Sequence, residues 1–133
     1  MKIHHIGIAT EGINEAANVW RDLLGLEADH TEEVLGQEVR VCMLPLGESG
    51  LELLEPMSAD SPISKFLQKR GGGIHHIAVA VGDIHSVLAD LKAKGARLID
   101  ETPRIGASGC LVAFIHPSSI GGVLLELVQD PSH

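Results

Sequence analysis

The sequence predicts an α+β fold built from two tandem βαβββ modules, and three observations carry that expectation. The segment Ile3-His4-His5-Ile6-Gly7-Ile8-Ala9 returns 71 residues later as Ile74-His75-His76-Ile77-Ala78-Val79-Ala80. Leu51-Glu52-Leu53-Leu54 returns as Leu125-Glu126-Leu127-Val128 at an offset of 74. Between these echoes each copy carries one helical apolar stripe followed by shorter extended runs, and self-similarity of this kind marks a repeated supersecondary unit. At 133 residues the chain has the size of one domain with a real core. The expected layout is a single domain over residues 1–133, with module 1 at about 1–57, a linker helix at about 61–70 and module 2 at about 72–130.

The elements follow in order. The first strand of each module is the echoed His-His segment. Ile13, Ala16, Ala17, Trp20, Leu23 and Leu24 then fall on one helical stripe, with Gly25 placed to stop the helix. Ile84, Val87, Leu88 and Leu91 repeat the pattern, with Asp83 as N-cap and Gly95 as the stop. Extended runs are expected at roughly 27–34, 37–44 and 50–55, then at 97–100, 110–116 and 122–129, punctuated by glycines. Between the modules, Ser61-Pro62 reads as an N-cap followed by proline in the first turn, and Ile63, Phe66 and Leu67 give a short amphipathic helix.

Composition narrows the function. Hydrophobic residues are 44% and charged residues 21% of the chain, as in ordinary globular domains. Ten Lys and Arg stand against 18 Asp and Glu, for a net charge of -8. No cluster of basic residues with interleaved aromatics appears, so no nucleic-acid partner is expected, because phosphate neutralisation needs a cationic face. Trp20, Phe66 and Phe114 are the only aromatics, too few for a base-stacking platform. Apolar runs such as Val123 to Leu125 fall far short of the roughly 20 residues needed to span a bilayer, and the N-terminus lacks the apolar segment of a secretory signal. A cytoplasmic protein is expected. Cys42 and Cys110 form no CxxC pair and read as buried thiols.

Side-chain parity locates the chemistry. On the first strand His5 shares a face with Gly7 and Ala9, while Ile6 and Ile8 point the other way. His76 shares its face with Ala78 and Ala80 in the same manner. The bulky face should pack under the helix, and the face with the histidine is kept small, leaving room for a cleft. Glu52 and Glu126 each interrupt an apolar strand, where a carboxylate is costly to bury unless it is paired or bound to a cation. If the two modules pack around a pseudo-twofold axis, two histidines and two glutamates converge on one point, a ligand set suited to a divalent first-row metal with positions left for substrate. Parity sets His4 and His75 on the opposite side, and these, with His85, read as solvent-facing or outer residues.

The motifs themselves carry a resemblance. His5-Ile6-Gly7-Ile8-Ala9, Glu52-Leu53-Leu54-Glu55-Pro56, Asp60-Ser61-Pro62-Ile63, Ile74-His75-His76-Ile77, Lys94-Gly95, Ile105-Gly106-Ala107 and His116-Pro117 through Gly121-Gly122-Val123-Leu124-Leu125-Glu126-Leu127 resemble the methylmalonyl-CoA epimerases of the vicinal oxygen chelate superfamily. The likeness runs over residues 3 to 130, and the C-terminal block is its most specific part.

The resemblance implies a glyoxalase-like fold, a curved mixed sheet around a metal-binding cleft, and a homodimer. It implies a divalent cation held by His5, Glu52, His76 and Glu126, with Co2+ first and Mn2+, Zn2+ or Ni2+ as alternatives. The implied reaction interconverts (R)- and (S)-methylmalonyl-CoA by moving the proton at C2, which lies alpha to a thioester. A cation that chelates the thioester oxygen and the carboxylate would stabilise the developing enolate. Two bases on opposite faces are then needed. Glu126 supplies one, and either Glu52, which serves as ligand, base or both, or Glu38 supplies the other. The resemblance implies a glutamate on the strand around Val39 to Leu44, where an ungapped reading puts Arg40, with Glu38 two residues earlier. Arg40 could instead meet the substrate carboxylate, while Lys65, Lys69, Arg70 and Arg104 are the cations available to the CoA portion. The rival readings are a glyoxalase I-like isomerase acting on a thiol hemithioacetal, an extradiol dioxygenase, and a metal-free small-molecule-binding module.

Overall fold

A computed structural model describes residues 1–131; the last two residues of the expected 1–133 domain lie outside the described residues. The elements are β1 (Lys2–Ala9), α1 (Ile13–Leu24), β2 (His30–Val34), β3 (Val39–Leu46), β4 (Ser49–Pro56), α2 (Pro62–Arg70), β5 (Gly73–Ala80), α3 (Ile84–Ala93), β6 (Arg104–Ile105), β7 (Leu111–Ile115) and β8 (Leu125–Gln129). This is βαβββ twice with a helix between, as expected. The chain forms two compact units, one of His5–His75 and one of Met1–His4 with the residues from His76 onward.

In the first unit the strand order is β2-β3-β4-β1. β1 runs parallel to β4, with Ile6 opposite Leu51 and Gly7 opposite Glu52, and β3 lies antiparallel to β4 with Met43 opposite Glu52. Its core joins Ile13, Cys42, Leu44, Leu51 and Leu53 to Ile6, Ile8, Ala16, Ala17 and Trp20, so the bulky face of β1 does pack under α1. The helical stripe is narrower than its apolar residues suggest: Leu23 and Leu24 are 76% and 64% exposed. Gly25 ends α1 in the left-handed conformation (φ 70°), where a side chain would clash with the backbone, and its N–H bonds the Arg21 carbonyl. Ser61 caps α2 by accepting from Ile63 N, and Pro62 opens the helix.

In the second unit the order is β5-β8-β7-β6. β5 pairs parallel with β8, Ala78 opposite Glu126, and β7 pairs antiparallel with β8, Phe114 opposite Glu126. Ile84, Leu88, Ala113, Ile115 and Leu127 form the core under α3. Asp83 caps α3 through Ser86 N, and Gly95 (φ +86°) turns the chain out of it.

Several boundaries differ from expectation. The run at 97–100 is not a strand and makes only an isolated bridge, Leu98 to Ile115. There Asp100 Oδ2 takes the Phe114 N–H at 2.8 Å, so a side chain replaces the carbonyl that a ladder would use. The outer strand of the module is β6 instead, paired with Leu111 and Val112. β3 begins at Val39 and runs on to Leu46 because Leu35–Gln37 forms a 3-10 turn and Glu38 adopts left-handed backbone (φ 52°), whereas β2 ends at Val34 as expected but starts only at His30. β8 starts at Leu125 because a turn over Pro117–Ser119 is extended by Gly122 N donating to the Pro117 carbonyl.

Candidate active site

Each unit places one histidine and one glutamate side by side, and the strand registers explain how. Glu52 is opposite Gly7 on the parallel neighbour, and His5 shares the face of Gly7, so both side chains leave the sheet on one side. His5 Nε2 lies 3.4 Å from Glu52 Oε1. In the second unit Glu126 is opposite Ala78, on the face of His76, and His76 Nε2 lies 3.0 Å from Glu126 Oε1. All four residues are buried, with exposures of 3% (His5), 7% (Glu52), 4% (His76) and 5% (Glu126). A carboxylate this deep against an imidazole demands compensating positive charge, from a proton or a cation. Each pair offers an imidazole nitrogen and a carboxylate, donor types that divalent first-row ions take.

The second pair has a built support. Phe114 faces with Glu126, and its ring meets the His76 imidazole edge-on at 5.6 Å between centroids. Arg104 lies over the other partner of that ring system, 5.8 Å from the Phe114 centroid, and its Nε is 3.3 Å from Asp100 Oδ1. Asp100 in turn accepts from Phe114 N. Arg104 therefore stands on the Glu126 side of this unit, as its pairing with Val112 requires.

Arg40 is placed differently. The β3–β4 register is continuous from Val39 opposite Pro56 to Leu46 opposite Ser49, so alternation runs unbroken. Met43 shares the face of Glu52, whereas Arg40 shares that of Glu55, on the α1 side. Its guanidinium pairs with Glu55 and, at 3.0 Å, with Glu33. The hydrogen bonds to Glu33 and Glu55 raise its pKa above the ordinary arginine value. Glu38 is exposed, takes a hydrogen bond from Ser58 Oγ at 3.2 Å, and holds Met57 N on its own carbonyl. Lys65 is exposed on α2. His85 is exposed as expected; His75 is half-buried and meets the Phe66 ring edge-on at 5.0 Å.

Residues 4–114 match the sequence profile of the glyoxalase/bleomycin resistance protein/dioxygenase superfamily. The human mitochondrial methylmalonyl-CoA epimerase is 40% identical over 129 residues, covering 96% of this chain and 73% of that protein. The chain belongs to this superfamily, among its methylmalonyl-CoA epimerases. The ethylmalonyl-CoA/methylmalonyl-CoA epimerase of Cereibacter sphaeroides is 38% identical over 130 residues, with 96% and 97% of the two chains covered. A Streptomyces coelicolor methylmalonyl-CoA epimerase in complex with 2-nitronate-propionyl-CoA superposes with a TM-score of 0.96 at 39% identity, over 99% of this chain and 96% of that one. A methylmalonyl-CoA epimerase in complex with methylmalonyl-CoA and NH4+ gives 0.95 at 39% identity, over 98% and 95%. The vicinal oxygen chelate fold expected from the sequence is thus the fold of the family.

Two supporting residues escaped the sequence. Glu55 Oε1 accepts from Ile13 N at 2.9 Å, and Gln129 Oε1 accepts from Ile84 N at 2.8 Å. Each lies three residues after the site glutamate of its module and fastens the start of that module's helix. The repeat Glu52-Leu-Leu-Glu55 and Glu126-Leu-Val-Gln129 was the available signal, since both fourth residues are hydrogen-bond acceptors.

Proposed function

We propose that this protein catalyses the interconversion of (R)- and (S)-methylmalonyl-CoA, with His5, Glu52, His76 and Glu126 together holding one divalent cation. What supports the assignment above all is the paired placement of a buried histidine and glutamate, at corresponding positions in both modules, in a chain whose relatives are epimerases of this substrate. Co2+ is the first choice of ion, with Mn2+, Zn2+ and Ni2+ as alternatives. When bound, the ion supplies Lewis acidity toward the thioester oxygen and the carboxylate of the substrate.

The residues of the chain do the rest. Glu126 and Glu52 carry the proton off and onto C2 from opposite sides. Between Glu52 and Glu38 as the second base, burial favours Glu52, because Glu38 is exposed and engaged by Ser58. A carboxylate at a cation would be a weakened base, so Glu52 and Glu126 would have to be loosely held as ligands to move the proton. The apolar strand residues around both acids exclude water from the exchanging proton. Arg104, over Phe114, meets the CoA portion together with Lys65; Arg40, held by Glu33 and Glu55 on the α1 side, is assigned to structure instead. The working form is a homodimer in the cytoplasm. No helix among the described residues is long and apolar enough to cross a membrane.

The deciding experiment follows deuterium from D2O into C2 of methylmalonyl-CoA with the divalent-loaded enzyme. Exchange that Glu126→Gln reduces by about 10²–10⁴-fold is the expected result for loss of a positioned acid–base group. Turnover of a methylglyoxal–thiol hemithioacetal without exchange at C2 would replace this reading by the glyoxalase one, and no effect of any divalent ion would leave a passive binder.

A further inference from the structure

The His76 unit contains a second group of metal-ligating side chains that the reaction does not use. His4, at the start of β1, Cys110, just before β7, and Asp130, just after β8, bring one ligand atom each within 4.8 Å of the others. His4 had read as solvent-facing or outer and Cys110 as a buried thiol. Cys110 is buried, as expected, but His4 is half-buried, with its Nε2 3.4 Å from Asp130 Oδ1. Cys110 Sγ lies 3.6 Å from the same oxygen.

These separations have a specific meaning. With Zn–N and Zn–O bonds of roughly 2.0–2.1 Å and Zn–S of roughly 2.3 Å, the edges of a tetrahedron around zinc are about 3.4 Å for N···O and about 3.6 Å for S···O. The two measured separations match those edges. The ligand types agree: a thiolate, an imidazole and a carboxylate are the donors zinc takes, and the thiolate makes the site softer than the His/Glu pairs. Thiolate and carboxylate together cancel the charge of a divalent ion. The Asp130 side chain is 46% exposed, which leaves a path from solvent to the group.

The group is separate from Glu126. Asp130 lies four residues beyond Glu126, just past the end of β8, about 13 Å away at ~3.3 Å per residue of extended chain. Ala78, Val112 and Val128 pack with Cys110 as an apolar layer.

We propose that His4, Cys110 and Asp130 form a second divalent-cation site, suited to Zn2+, that ties the start of the chain to the ends of β7 and β8. Its function is structural: it fastens the first residues of β1 to the β7–β8 edge.

Cobalt distinguishes this site from the His/Glu site, because only a thiolate ligand gives a near-ultraviolet sulfur-to-cobalt charge-transfer band. The full chain titrated with Co2+ should develop that band. Cys110→Ser should abolish it, Cys42→Ala should leave it, and Asp130→Asn, a change at a part-exposed side chain, should weaken Co2+ binding by at least tenfold while circular dichroism confirms an intact fold. Zn2+ should displace the cobalt, bleach the band and slow hydrogen exchange at the amides of β1. A saturated protein without the band, or a band that survives Cys110→Ser, overturns the proposal. The band reports sulfur ligation alone, so its outcome is independent of whether His5, Glu52, His76 and Glu126 hold an ion.

Discussion

Replacing Glu55 by leucine removes an acceptor from the first turn of α1, and the structure sets how much that should cost. The N-cap residue Gly12 provides no side-chain hydrogen bond to the helix, so the bond from Ile13 N to Glu55 Oε1 is the side-chain cap. Loss of such a cap costs about 0.5–2 kcal/mol, and loss of a carboxylate from a helix N-terminus adds about 0.3–1 kcal/mol. The Arg40 pairing contributes little more, because the guanidinium is 40% exposed and Glu33 still holds it. Glu55→Leu should therefore destabilise by about 1–3 kcal/mol, and Glu55→Gln, which keeps the acceptor and loses only the charge, by about 0.3–1 kcal/mol. Gln129→Leu supplies an internal comparison. There Asp83 already caps α3 through Ser86 N, so the loss should be the smaller of the two leucine variants. Urea unfolding followed by far-ultraviolet circular dichroism measures all three, with unchanged m-values as the condition for comparing them. Equal losses for Glu55→Gln and Glu55→Leu would refute the capping argument, as would a Glu55→Leu loss below about 0.5 kcal/mol.

Three further outcomes follow from the same geometry. Phe114→Leu removes the edge-on contact with His76 and the seat of Arg104, and should weaken divalent-ion affinity by roughly 10-fold or more, as loss of a support behind a ligand does; competition with a fluorescent chelator measures it. Arg104→Gln should raise KM for the CoA thioester several-fold while kcat changes less than twofold, since a binding contact far from C2 acts equally on ground and transition states; steady-state kinetics separates the two, and a fall confined to kcat would contradict the assignment. Ser61→Ala should cost about 1 kcal/mol in urea unfolding through the lost cap on α2, with C2 exchange unchanged.

Local rules were enough wherever a feature is written within a few residues. The duplicated strands, the Ser61 and Asp83 caps, the Gly25 stop and the parity of His5 with Gly7 all stand in the structure as their spacing implies. What failed involved partners distant in sequence. The strand expected at 97–100 is displaced because Asp100 captures Phe114 N, 14 residues away. Arg40 reads as a site residue when strand position alone is considered, yet the register opposite Glu55 puts it on the other face from Glu52. Glu55 and Gln129 reach helix starts 42 and 45 residues away, a distance over which no capping motif is visible. Leu23 and Leu24 continue the apolar period of α1 beyond the surface that the sheet covers.

The three-residue step from Glu52 to Glu55, repeated from Glu126 to Gln129, puts a buried acid and a helix anchor on opposite sides of one strand. Such a strand behaves like an axle: a slight roll of its backbone swings both groups at once. Substitutions in the first turns of α1 and α3, whose leading residues Ile13 and Ile84 are buried against the sheet, thus bear on the orientation of each acid. Changes at those helix starts can therefore be felt at the acids without touching them.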